Sequence, residues 1–187
     1  FKNRFAYTYT DVSRDNFERS GGADVPSFLS QGKLDRFEYR GELTPVSAVT
    51  LLFGAETELS RLDTISPAFQ SDPDRYSQRQ NAVYGQAIVR PLTGLTVTGG
   101  LRYDDQEKGE SETTFGANAA YSPNGGATVL RGTYAEGFRA PSLFEKFSAY
   151  GTPSLAAERA HSYDFGIEQR LLSDAAQARV TYFNRDT

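Results

Sequence analysis

From Leu34 to Leu43 the chain alternates almost without fault. Phe37, Tyr39, Gly41 and Leu43 fall on one side, and Arg36, Glu38, Arg40 and Glu42 on the other. A period of two is the signature of a β-strand, because successive side chains point to opposite faces. A strand that is fully charged on one face and apolar on the other must separate water from something oily. The same alternation recurs along the chain, over 2–11, 48–60, 95–105, 112–121, 127–138, 161–171 and 176–186, with a less tidy version over 76–90. That predicts about nine strands and an all-β antiparallel up-and-down meander.

The connections carry a second pattern. Those at 44–47, 91–94, 122–126 and near Ser173-Asp174 are short and rich in Pro, Gly, Asn and Ser, the residues of tight turns. Those at 12–33, 61–75 and 139–160 are expected to be long polar loops, and 106–111 is short and charged. Alternate connections of a meander lie at the same end. Tight turns are therefore expected at one rim and long loops mostly at the other. Membrane barrels show this sorting, and a strand of about ten residues is what a tilted strand needs to cross a bilayer.

The mean hydropathy of −0.54 suits this reading as well as it suits a water-soluble chain, because only alternate residues of a barrel strand face lipid. No apolar run approaches the ~20 residues of a membrane helix. The net charge of −4 offers no basic stripe for nucleic acid. The absence of Cys removes thiolate metal sites. No nucleophile elbow, phosphate loop, zinc helix or paired-carboxylate arrangement is present, so no catalytic residues, metal ligands or cofactors are assigned and no enzyme is expected.

One stretch is more specific. Tyr134-Ala135-Glu136-Gly137-Phe138-Arg139-Ala140-Pro141-Ser142-Leu143 is followed by Tyr150-Gly151-Thr152-Pro153-Ser154-Leu155, then Glu158, then Tyr163-Asp164-Phe165-Gly166-Ile167-Glu168. This order resembles the barrel of TonB-dependent outer-membrane receptors, with Thr152 at a usual Asn and Ala157 at a usual Pro. The motif with Phe147–Leu155 looks most like the cobalamin-transporter branch, although siderophore receptors share much of it. The resemblance implies a barrel of about twenty-two strands filled by an N-terminal plug. It implies a bacterial outer-membrane location, lipid and the TonB complex as partners, and import of a scarce large ligand such as cobalamin or a ferric siderophore. Residues 1–187 are then expected to be a partial barrel domain, with the plug and the remaining strands outside this sequence. A passive porin-like or adhesin barrel, and a soluble all-β binding module, are the competing readings.

Two sets of residues are candidates for function. Arg36, Glu38, Arg40, Glu42, Arg102 and Glu168 are expected to face a wet lumen, with Glu56, Glu58, Asp104, Arg131, Asp164, Arg170 and Arg179 on the same side. Arg139, Phe147, Tyr150 and Glu158 lie on the longest predicted loop and are the candidate ligand contacts. Within that loop Phe138, Pro141, Leu143 and Phe144 are expected to anchor the rim as part of an aromatic girdle. His161 stands alone at a strand start and is read as an interfacial polar residue.

Overall fold

The computed structural model describes residues 1–187 apart from Lys108, Ala149, Tyr150 and Asp174. Nine strands form one sheet in the order of the chain, each antiparallel to its neighbour. They are β1 (Lys2–Ser20), β2 (Ala23–Val46), β3 (Val49–Ile65), β4 (Asp74–Leu92), β5 (Leu95–Gln106), β6 (Glu112–Tyr121), β7 (Thr128–Arg139), β8 (Glu158–Leu171) and β9 (Ala176–Asp186). One short helix, α1 (Leu143–Phe147), lies in the connection from β7 to β8.

The register puts the alternating residues where the sequence pattern expects them. Phe5, Tyr39, Ala55, Val83 and Tyr103 stand opposite one another across five strands. Phe53, Leu101 and Phe115 lie in the next row on the same face, joined through Gly85. Val49, Val89, Val97 and Ala119 continue it toward the tight turns. This outer face is uncovered: Phe5 is 78% exposed, Leu101 58% and Phe165 62%. A soluble sandwich would bury these side chains against a second layer; here the buried apolar residues among those described are Phe28, Leu62, Ala82 and Leu143, all away from this band. An apolar surface of this extent marks a contact with lipid or protein.

Beyond the band the outer face becomes charged, with Asp11, Lys33, Asp35, Arg61, Asp63 and Arg75 in facing rows, and Asp35 pairs with Arg61. The strands outrun any bilayer. β2 has 24 residues, or roughly 80 Å of extended chain, where a tilted crossing needs about 9–11 residues.

That excess length explains the main departure from the sequence reading. Residues 12–33 are not a loop. β1 runs on to Ser20 and β2 starts at Ala23, joined by Gly21 and Gly22 at φ +57° and +87°. Two consecutive positive φ angles are what a two-residue hairpin turn demands, and glycine supplies them without strain. Residues 12–26 of this ribbon are exposed on both faces, so the hydrophobic alternation fades while the ladder of backbone hydrogen bonds persists. Pro26 is accommodated because the register shifts beside it, between Asn16 and Phe17. The expected loop over 61–75 likewise shrinks to 66–73.

The sorting of connections holds with one amendment. Turns at 47–48, 93–94, 122–127 and 172–175 share one rim. The opposite rim carries 66–73, 107–111 and 140–157, together with the Gly21-Gly22 turn at the tip of the projecting hairpin.

Candidate functional site

The inner face of the sheet is a lattice of opposite charges. Arg36 reaches Glu58 on β3, with Nε at 2.8 Å from Oε2. Arg102 on β5 pairs with Glu56 and holds Asp104 at 2.9 Å. Arg131 and Arg179 share Glu168 from either side, at 2.6 and 2.7 Å. Lys2 meets Glu42 at 3.0 Å, and the Tyr84 hydroxyl donates to Glu38 at 3.4 Å. Arg40 faces Arg4 directly across the β1–β2 pair. Register and alternation place Arg36, Glu38, Arg40, Glu42, Arg102 and Glu168 on one face. Opposite charges on facing strands stabilise mildly, and Asp104, only 5% exposed, has Arg102 as its ion-pair partner.

The β7–β8 connection folds over this same face, on the long-loop side of the charges. Its course follows from local chemistry. Pro141 follows the end of β7, and Ser142 then caps α1. The Ser142 hydroxyl accepts from the Glu145 N–H at 3.2 Å, and the Ser142 N–H donates to Glu145 Oε2 at 2.8 Å. This is a reciprocal capping box. Arg139 then ties three segments together. Its guanidinium holds Glu145 of the helix at 2.9 Å and Glu158, the first residue of β8, at 2.8 Å.

The electrostatics of this knot are one-sided. The Arg139 guanidinium, helped by the Ser142 N–H and hydroxyl, holds the Glu145 carboxyl down at about 2. Arg139 also lowers Glu158. The two carboxylates in turn raise Arg139 further above its ordinary value. The loop then doubles back: the Thr152 N–H donates to the Glu145 carbonyl at 2.9 Å. Gly151 permits this approach, since a Cβ there would lie 2.6 Å from the Lys146 carbonyl.

Aromatic contacts fix the loop to the wall. Phe147 stacks on Tyr76 of β4 with ring centres 4.2 Å apart and 6° between planes. Phe144 meets Phe28 of β2 edge-on at 6.5 Å, and the Arg14 guanidinium lies 5.1 Å over the Phe144 ring. Leu143 is 7% exposed. The expectation that Leu143 and Phe144 join a rim girdle is therefore corrected. Both turn inward, because the capping box starts a helix that aims them at the sheet rather than at the rim. Phe138 lies beneath Arg159, at 5.7 Å. His161 pairs with Asp186 at 3.1 Å. Tyr150, the remaining candidate, lies outside the described residues.

A family model described as the TonB-dependent receptor-like β-barrel matches residues 1–187. The chain belongs to that family. Solved structures agree on the fold. The chain is similar to the ferric enterobactin receptor PfeA from Pseudomonas aeruginosa, with 19% identity, a TM-score of 0.74, and coverage of 98% of this chain and 32% of that one. It is similar to the siderophore receptor PirA from Acinetobacter baumannii, with 16% identity, a TM-score of 0.82 and the same coverage. The copper transporter OprC gives 16% identity and a TM-score of 0.67, covering 97% of this chain and 34% of that one. The chain thus spans about a third of the length of these structures.

In this receptor barrel, Arg139 and Glu158 come together while Phe147 is separate from them, stacked on Tyr76. Sequence reasoning missed Ser142 and Glu145, although Ser-x-x-Glu is a readable helix-start signal. It also missed Tyr76, Phe28 and Arg14, which become partners of the loop only through the register of distant strands.

Proposed function

We propose that this chain forms wall, lumen lining and part of the outer vestibule of a receptor in a bacterial outer membrane. The receptor imports a scarce metal chelate, driven through the TonB complex acting on a plug that this sequence does not include. It acts as a transport receptor rather than an enzyme. The observation that carries this reading is the two-sided sheet: an uncovered apolar band outside, and a charge lattice, largely ion-paired, inside. Such a wall suits lipid on one side and a wet lumen, or a polar plug, on the other.

In this reading Arg36, Glu38, Arg40, Glu42, Arg102 and Glu168 line the lumen. The loop bearing Arg139, Phe147, Tyr150 and Glu158 meets the ligand, with the Arg139 knot setting the loop's shape. The ligand class is supported by the similar structures, which are siderophore receptors and a copper transporter. A ferric siderophore comes first, and cobalamin, toward which the loop motif points, comes second.

Deletion of the full-length gene tests the proposal. Uptake of radiolabelled ferric enterobactin and of cyanocobalamin is measured with and without it. Loss of either supports import of a metal chelate and names the class. Unchanged uptake of both, with the protein present in the outer membrane of the parent strain, overturns it.

A further inference from the structure

Beyond Gly116 and Ala135, β6 and β7 continue as strands but no longer pair with each other. Their ladder runs from Tyr121↔Leu130 to Gly116↔Ala135 and stops. Residues 112–115 go on pairing with β5, as far as Asp104↔Glu112. Residues 136–139 go on pairing with β8, as far as Arg139↔Glu158. The wall is therefore split between two well-formed strands. Side chains replace the missing ladder. The Phe115 N–H donates to the Glu136 carboxylate at 2.9 Å, in place of a β7 carbonyl. Arg159 of β8 passes over the Phe138 ring and pairs with Glu110 and Glu112, both at 2.5 Å. Alternation puts Arg159 on the outer face with His161 and Tyr163, and Glu112 on the inner face with Thr114. An intact ladder would stand between the two.

Two cavities on opposite faces meet at the split. One, of about 390 Å³, reaches Arg36, Arg102 and Asp104 of the inner lattice. The other, of about 720 Å³, reaches Tyr134, His161 and Asp186 of the outer face. Thr114, Glu136 and Gly137 line both. The level of the split is telling. Tyr134 faces Tyr163 on its apolar side, and the next outer row is Glu136, His161 and Asp186. The ladder thus ends where the outer face turns polar, the depth at which water can serve unpaired backbone groups that lipid chains cannot. The bridge across it is of a different kind from the rest of the wall. Arg159 and Glu110 are each about half exposed, and exposed ion pairs are weak and screened by salt. We propose that the split is a latched lateral opening: the Arg159 ion pairs hold its lips together, and their release joins the inner cavity to the outer face at the level of the lipid headgroups. This rests on the reading that the outer face meets lipid, and on nothing about the cargo.

The test uses the full-length receptor in lipid vesicles that carry a quencher on the headgroups. Single cysteines bearing a fluorophore replace Thr114, at the split; Asn118, on the same inner face beside the intact ladder; and Tyr103, on the outer face. Tyr103 is expected to be quenched throughout and Asn118 not. Thr114 is expected to be quenched weakly at low salt. Its quenching should rise severalfold in high salt, and equally in Arg159→Gln without added salt. Glu112→Gln with Glu110→Gln breaks the latch from the other side and gives a second reading should Arg159→Gln misfold, which circular dichroism reports. The proposal is overturned if Thr114 stays as dark to the quencher as Asn118 in every variant and at both salt levels. It is overturned equally if Thr114 is quenched as strongly in wild type as in the folded latch variants, since the opening would then have no latch. Loss of quenching at Tyr103 would remove the lipid-facing reading itself, and this inference with it, whereas failure at Thr114 alone leaves that reading standing.

Discussion

Leu101 and Arg102 are consecutive, and the fold assigns them opposite solvents. Leu101 lies in the apolar rows with Phe53 and Phe115 and is 58% exposed. Arg102 points the other way and pairs with Glu56 and Asp104. With lipid against the outer face, Leu101→Arg costs about 2–4 kcal/mol near the bilayer midplane. Were that face merely wet, the same change would stay within about 0.5 kcal/mol. Arg102→Leu fails for a different reason: it leaves Glu56 and a buried Asp104 without their cation. Removing one partner of a buried pair costs about 3–5 kcal/mol, but Arg102 keeps a third of its side chain in water, which reduces this to about 1–3 kcal/mol. The assay is urea unfolding of the full-length receptor in lipid vesicles, with Gln86→Arg as an inner-face control expected to change little. A Leu101→Arg variant as stable as wild type, or one shifted no further than Gln86→Arg, would refute the assignment of faces.

Two further outcomes follow from local geometry. Gly54→Ala should destabilise by about 1–3 kcal/mol, an overpacking cost, because the new Cβ would sit 2.5 Å from the Tyr39 carbonyl and from the Tyr84 ring; denaturant titration checks it, and an unchanged midpoint contradicts it. The Arg139 knot should tighten the loop at neutral pH and release it in acid. Glu145 is depressed from 4.5 to about 2, so its contribution is complete above the higher value and is lost as pH falls toward the lower one. Hydrogen exchange of amides 142–147 should therefore accelerate between those values in wild type, once corrected for intrinsic rates, and be fast already at neutral pH in Glu145→Gln. Exchange equal in both proteins at neutral pH would contradict the knot.

The alternation over 34–43 and its recurrence along the chain are enough to read strands and faces, because a sheet with one apolar and one polar face imposes one rule on every strand, and the lengths of the connections give the sorting of turns. The rule stops at the edge of the apolar band. Beyond it, residues 12–33 continue as paired strands whose scattered apolar residues keep no clean alternation, which a hydrophobic pattern cannot separate from loop. The candidate site was legible in part for the same kind of reason. Arg139 and Glu158 stand at the ends of neighbouring strands, so a loop that closes will bring them together. Phe147 on Tyr76, and Phe144 on Phe28, depend on a loop from β7 crossing to β2 and β4. No local signal in the sequence specifies that crossing.

The most direct test of the account places single cysteines along β5, from Val97 to Tyr103, in the full-length receptor. Each is labelled with a fluorophore and exposed to a quencher carried on lipid chains. The account predicts quenching at 97, 99, 101 and 103, and little at 98, 100 and 102. Quenching that ignores this alternation, or that favours the even positions, would contradict a sheet with lipid on its Leu101 face and water on its Arg102 face.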